Sequence, residues 1–418
     1  MADANRSALR LLREGHEDRV LGLLRTHGAL SRSDLAQATG LSRTALWSIV
    51  SRLISIGAVV ESDKIDEPQH DDTAAQKRGK GRPPTYLTLN PASGLAIGID
   101  IGHRRIHASI ANAAHDIIAA TSEACTQSAP WRDRVHQALA LVDTLTASHH
   151  ISLDALEGVG VGVIGPVAES GTVPQSRAGD RAELVHTLVT EHLNVPIFVD
   201  NNTRLGALAE AIWGGGRGTE NVLYLRLSYG VGGGLVLGGH LFSGAFGAAG
   251  EFGHISVEPD GPACGCGGRG CLERYIALPE LLKNAGVATV DGLIERLESG
   301  DDRIARIVRD AGTRLGRVIA AAANVVNPEV VVVGGELAAA GEALLGPARD
   351  AVETYSHGQV RRRLSVVSAE LGDEGPALGG VALVLKRSTL LAGYPITAHE
   401  PEAVSASPQV ADSDTGTA

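Results

Sequence analysis

Aromatic side chains are scarce in this chain, with four phenylalanines, six tyrosines and three tryptophans in 418 residues against 52 glycines. A fold built on ring packing is excluded, and one with many tight strand-to-helix turns is favoured. Four cysteines are present, and three crowd one window where Cys-x-Cys neighbours pair badly as disulfides. Nothing else suggests an oxidising compartment. No run of about eighteen apolar residues exists, so no membrane span is expected. The opening MADANRSALRLLREGHEDR is charged and polar, unlike a secretion signal; a cytoplasmic location is therefore expected. With 44% hydrophobic and 20% charged residues, the chain reads as a soluble globular protein of two or three domains. A surplus of basic residues is also lacking, since the formal net charge is −11. That deficit is local: residues 1–90 carry 13 Lys or Arg against 11 Asp or Glu, leaving 24 against 37 for the remainder. An N-terminal DNA-binding module is thus compatible with the acidic total.

The most informative stretch is Gly244 to Glu273, GAFGAAGEFGHISVEPDGPACGCGGRGCLE. It gathers His254, Cys264, Cys266 and Cys271 with Glu251 and Glu273. Three thiols and an imidazole suit tetrahedral zinc with no open position, hence a structural ion. The glycines at 265, 267, 268 and 270 permit the tight folding that turns the sulfurs inward. With one His254 nitrogen on metal the other is fixed, and Glu251 three residues earlier can sit beside it. Glu251, His254 and Glu273 then form a trio suited to sugar hydroxyls.

Residues 17–29, EDRVLGLLRTHGA, predict an amphipathic helix. In the following SRSDLAQATGLSRTALWSIVSRLISIGAVVE, Ser31 or Ser33 caps a short helix, Thr39-Gly40-Leu41 turns the chain, and Ser42 caps a second helix reaching about Ile56. This is a helix-turn-helix pattern, and its second helix would present Arg43, Thr44, Trp47 and Ser48 to DNA. Trp47 has an alternative role in packing against the first helix. Strands at 57–61 and 86–89 would make a wing around a polar loop, and GKGRPP at 79–84, with Arg82, could lie along phosphates or in a minor groove; a plain flexible linker is the other reading.

AGEFGHI followed by CGCGGRGCLE resembles the paired signatures of the ROK family, named for repressor, open reading frame and kinase. The resemblance implies an α/β chain: an N-terminal winged helix-turn-helix (1–90, with wing or linker at about 61–85) and a two-lobed actin-like, ribonuclease H-like sugar-kinase fold over 94–394 with a structural zinc site. Lobe one would span about 94–200 plus 376–394 and lobe two about 201–375, with 395–418 a disordered tail. Implied partners are a double-stranded DNA operator and a sugar or sugar-phosphate effector, in a homodimer or homotetramer without membrane attachment.

Several motifs depart from the family. Asp100-Ile101-Gly102 is similar to its first phosphate loop, but His103-Arg104-Arg105 stands where Gly-Thr-Lys is usual. Ser228-Tyr229-Gly230, ahead of Gly232, replaces Gly-Thr-Gly in the second; the glycines fit phosphate cradling and simple tight packing equally well. Gly334-Gly335 resembles the adenosine segment. The stretch PQSRAGD lacks a usual sugar-contact motif. Most consequential is VDNNTRLGALAE: the family's catalytic aspartate lies eight residues before a helix glutamate, and eight before Glu210 stands Asn202. A phosphoryl acceptor must lose its proton to a carboxylate, which an amide cannot replace, although an amide still hydrogen-bonds the hydroxyl. Asn201 and Asn202, with Glu251, His254 and Glu273, are therefore expected to bind sugar without phosphorylating it. A register slip of Asp200 toward the hydroxyl would rescue the alternative, an ATP-dependent sugar kinase fused to a DNA-binding domain.

Overall fold

A computed structural model describes residues 16–17, 19–24, 29–55, 57–62, 85–90, 94–126, 128–167 and 177–387. At the N-terminal end, helix Arg32–Thr39 starts from a capping box in which Ser31 Oγ accepts from Asp34 N and the Asp34 carboxylate accepts from Ser31 N. Gly40, at φ 70°, ends it in the left-handed region that glycine tolerates best. The second helix, Arg43–Ser55, is braced at its start by Ser42 Oγ, which accepts from Ala45 N at 3.3 Å. Its Leu46, Ile49, Val50 and Leu53 are buried with Leu35, Leu87 and Leu89. Strand β2 (Val59–Ser62) pairs antiparallel with β3 (Tyr86–Leu89), as the wing pattern predicts, and β1 (Leu30–Ser31) adds a third strand. Two residues are too short a run to show alternation, which is why β1 is not legible in sequence. Arg82 and the GKGRPP segment, the first three residues of PQSRAGD and the C-terminal tail lie outside the described residues.

Two five-stranded sheets form the body. The first has the order β6-β5-β4-β7-β8, from β4 (Leu95–Ile101), β5 (Arg105–Asn112), β6 (Ile117–Ala124), β7 (Leu156–Val163) and β8 (Ile197–Asn201). The second has the order β11-β10-β9-β12-β13, from β9 (Val222–Leu227), β10 (Val231–Leu237), β11 (His240–Phe242), β12 (Val330–Gly334) and β13 (Ser365–Ser368). Strand β12 runs parallel to both neighbours and is buried throughout, as its unbroken valines require. Helices Asp302–Val326 and Glu342–Tyr355 pack together on this second sheet.

The final helix, Gly375–Arg387, lies where the two halves meet, and its path explains part of the glycine surplus. A Cβ at Gly98 would fall 1.8 Å from Ala377 O, one at Gly160 2.1 Å from Gly380 O, and one at Gly379 1.9 Å from Leu205 O. Only glycine lets this helix touch the backbones of β4, β7 and helix Asn202–Trp213 together. The winged helix is seated on the first sheet through the β5–β6 turn, where Ala114 packs into the helix-turn-helix core. Asn112 holds this turn by accepting from Ala114 N and Asp116 N.

Candidate functional site

Strand β8 runs directly into helix Asn202–Trp213, and Asn201 is the cap that makes the transition. Its Oδ1 accepts from Thr203 N at 2.9 Å and Arg204 N at 3.1 Å, while Nδ2 donates to Gly165 O at 2.9 Å. This helix start, the β4–β5 turn, the β9–β10 turn and the Glu251–His254 segment enclose a cleft of about 720 Å³. Asn201, Asn202, Glu251, His254 and Glu273 all line it. Asn201 has little hydrogen-bonding capacity left for a ligand, since its carbonyl oxygen already caps the helix. Glu273 is partly engaged too, its Oε2 accepting from Val231 N at 3.0 Å. Burial, with the nearby Glu273 charge, holds the Glu251 carboxyl above the usual range against the opposing pull of His254.

Asn202 Nδ2 donates to Asp100 Oδ1 at 3.2 Å in the floor of the cleft. Asp100 is 1% exposed, and burial pushes its carboxyl up to about 6 despite the Arg226 charge and the Asn202 hydrogen bond, which act the other way. Asp200 takes no place in the lining. Its Oδ1 accepts from Arg204 Nε at 2.6 Å and from Arg204 Nη2. Arg204, 2% exposed, is fixed further by Nη1 on Gly247 O and Nη2 on Val167 O, each at 2.6 Å. A carboxylate in a buried, fully hydrogen-bonded ion pair cannot swing to a hydroxyl without leaving a buried guanidinium unpaired, at a cost of about 3–5 kcal/mol.

Two of the segments similar to nucleotide loops also meet at this cleft, and three of their amides are occupied. Val231 N serves Glu273, Ser228 N donates to Gly230 O at 2.9 Å, and Gly102 N donates to Arg105 O at 3.0 Å. Across the cleft, Arg104 Nη1 donates to Tyr229 Oη, and the His103 and Tyr229 ring centroids lie 6.0 Å apart. Asp100, Gly102, Gly230 and Gly232 line the cleft; Gly334 and Gly335 do not, although Glu336 just beyond them does. Arg226, Glu336, Asp373 and His107 are lining residues that sequence reasoning passed over. Arg226 was detectable as the lone charge within the apolar strand VLYLRL. Its partner Asp373, at 2.9 Å, is 147 residues away, beyond the reach of any local pattern. Burial holds both His103 and His107 below the ordinary histidine range, helped by the neighbouring arginines.

Beside Glu251 and Glu273, the single-atom donors of His254, Cys264, Cys266 and Cys271 all lie within 4.8 Å of one another. Cys264 Sγ is 3.6 Å from His254 Nδ1, and Cys266 Sγ is 3.6 Å from Cys271 Sγ. Ligand atoms about 2.3 Å from a tetrahedral ion would stand about 3.8 Å apart, so the cluster could hold a metal ion. Gly270 makes the loop possible: it sits at φ 61°, and a Cβ there would lie 1.6 Å from Glu258 O. Burial first, and then the neighbouring sulfurs, push the Cys271 thiol up to about 12; a dication offsets that cost of gathering thiolates. His254 turns Nδ1 toward the sulfurs and Nε2 toward Glu251, 3.6 Å from its Oε2, so one ring joins the cluster to the cleft.

On the winged helix, Arg43, Thr44, Trp47 and Ser48 form one exposed face of the second helix. Trp47 is 64% exposed, so it does not pack against the first helix.

This fold, with a sugar-kinase-like cleft and a Cys3His cluster behind a helix-turn-helix, defines a two-module class of protein. The ROK family model matches residues 96–387 and a winged helix-turn-helix DNA-binding model matches residues 18–60. The chain belongs to the ROK family. It is 25% identical to the xylose repressor of Bacillus subtilis (strain 168) over 367 residues, covering 85% of this chain and 91% of that protein. With the DNA-binding transcriptional dual regulator NagC of Escherichia coli (strain K12) it shares 28% identity over 405 residues, 91% and 94% of the two chains. A glucokinase of Halalkalibacterium halodurans is 32% identical over 265 residues, 58% of this chain and 80% of that one. Among solved structures, a ROK family transcriptional regulator described as a homolog of the E. coli MLC protein superposes with a TM-score of 0.72 at 21% identity, covering 92% of this chain and 98% of that one. The Streptomyces griseus ROK glucokinase in complex with glucose and AMPPNP gives a TM-score of 0.57 at 28% identity, covering 69% and 99%.

Proposed function

We propose that this protein is a DNA-binding transcriptional regulator of carbohydrate metabolism, a repressor, whose ROK module senses a sugar without phosphorylating it. The observation that carries the reading is the arrangement at the helix start: an amide, Asn202, stands at the position of the family's base, and the carboxylate two residues before it, Asp200, is bound to Arg204 away from the cleft. Neither Asn202 nor Asp200 therefore offers an acceptor hydroxyl the general base that phosphoryl transfer needs at this helix start. The likeness to the xylose repressor and NagC over most of both chains supports the regulatory half of the reading. The cluster His254, Cys264, Cys266 and Cys271 would hold zinc in a closed structural role and fix the His254 ring that faces the sugar.

Ligand binding would be relayed to DNA along two parallel elements. Helix Asn202–Trp213 and strand β5 both start at the cleft, and both end at the β5–β6 turn. There the His115 and Trp213 rings lie 5.4 Å apart and Ala114 enters the helix-turn-helix core. A sugar that favours one setting of the lobes would thereby shift the seat of the reading helices in a homodimer or homotetramer acting in the cytoplasm. Only unequal affinity for the two settings can produce a switch.

A coupled assay of ADP release over a sugar panel, run beside calorimetric binding of the same sugars, tests the proposal. Binding without turnover is expected; sugar-dependent ADP release would defeat the sensor reading, its loss in Asp200→Asn favouring a kinase with Asp200 as base and its survival pointing to another base. Arg43→Ala should weaken operator binding measured by anisotropy about tenfold or more, with the salt dependence reduced.

A further inference from the structure

The cleft is larger and more varied than one monosaccharide needs. Its volume of about 720 Å³ lies in the upper part of the range of small-molecule sites, roughly 300–1,000 Å³. Asn202, Glu251, His254 and Glu273 account for one end. The rest, toward the family's nucleotide loops, is lined by Asp100 in the floor beside Asn202, by Glu336 and Asp373, and by Arg104, Arg105 and Arg226. Three carboxylates against three guanidiniums give no excess of positive charge for a triphosphate, and three of the turn amides, those of Gly102, Ser228 and Val231, already have partners. Mixed donors and acceptors are instead what a neutral polyol pairs with, because every hydroxyl both gives and takes a hydrogen bond.

Two buried side-chain atoms here lack partners among the described residues. His107, 7% exposed, has no hydrogen-bond partner for Nδ1, and Glu336 has none for Oε2. Unpaired buried polar atoms cost free energy unless a ligand meets them. Between the two ends stands Tyr229, half-buried, its ring fixed by Arg104, whose guanidinium carbon lies 5.5 Å from the ring centroid. A held aromatic face matches the apolar C–H face of a pyranose, while the polar groups around it take the hydroxyls.

We infer that the vacated nucleotide half of the cleft is a second glycosyl subsite, built from Tyr229, His107, Glu336 and the Arg226–Asp373 pair, and that the effector is a disaccharide or longer glycan. This rests on the sugar-sensing reading above and deepens it. The test is isothermal titration of the full-length protein with matched pairs: xylose and xylobiose, glucose and cellobiose or maltose, N-acetylglucosamine and its β-1,4 dimer. One disaccharide should bind at least about tenfold more tightly than its monosaccharide. Tyr229→Ala and Glu336→Gln should each erase most of that gain and leave monosaccharide affinity intact, which also certifies the fold; Tyr229→Phe should retain it. Equal affinity within every pair, or displacement of the disaccharide by ATP at comparable concentration, would overturn the subsite while leaving sugar sensing in place. Absence of binding by every saccharide of either length would bring down both.

Discussion

At position 202 the side chain decides what the neighbouring carboxylate can do. Asn202 gives a hydrogen bond to Asp100, so an aspartate there would set two carboxyls against each other in a buried floor. Asn202→Asp is therefore expected to raise the pair's proton affinity and to yield no sugar-dependent ADP release, since the turn amides of Gly102, Ser228 and Val231 remain occupied. A coupled assay checks this, and kinase-level turnover would show that the amide alone separates this chain from a catalyst. Asp100 itself predicts a pH dependence. Its carboxyl is raised from 3.8 to about 6, so the folded state holds a proton that the unfolded chain releases. Stability then falls as pH rises from about 4 to 6 and is level above that, a penalty on the order of 3 kcal/mol. Asp100→Asn should remove this slope and leave the variant more stable above pH 6, as chemical denaturation at pH 4.5 and 7.5 would reveal.

Among the elements, helix Asn202–Trp213 carries the most connections. Its first turn forms the floor of the cleft, and Glu210 near its end accepts from Gly215 N, Glu370 N and Leu371 N, which ties it to the loop after β13. Trp213 completes it against His115. Trp213→Ala should leave DNA affinity without sugar and sugar affinity itself close to the parent's, while cutting the change in DNA affinity caused by a sugar that calorimetry shows to bind. An unaltered response would place the relay elsewhere. The last helix has a supporting role of a different kind: glycines 98, 160, 379 and 380 let its backbone lie against both halves, so a side chain at any of them would force the lobes apart.

For the molecule as a whole, the Cys3His cluster and the cleft share His254, so metal and sugar should be linked. Cys266→Ser is expected to lose one equivalent of zinc, measured by atomic emission, and to weaken sugar affinity about tenfold or more through a freed His254 ring. Loss of metal with unchanged sugar affinity would separate the two functions. Among the described residues no helix is long and apolar enough to cross a membrane.

Short-range patterns in the chain were enough to set the winged helix, the alternation of the body and the Cys3His cluster that could hold a metal ion. Caps, glycines and cysteine spacing act within a few residues, so Ser31, Gly40 and the cluster from His254 to Cys271 were legible in one dimension. The amide at 202 was legible too, by its distance from Glu210. Tertiary structure alone decided what surrounds that amide: Asp200 bound to Arg204 rather than facing the cleft, Arg226 matched by Asp373, and Tyr229 standing against Arg104 from the opposite lobe. Those relations depend on where separate strands and helices end in space. Electrostatic and steric pairings of that range have no local signature, because they arise only after the two sheets have packed around the final helix.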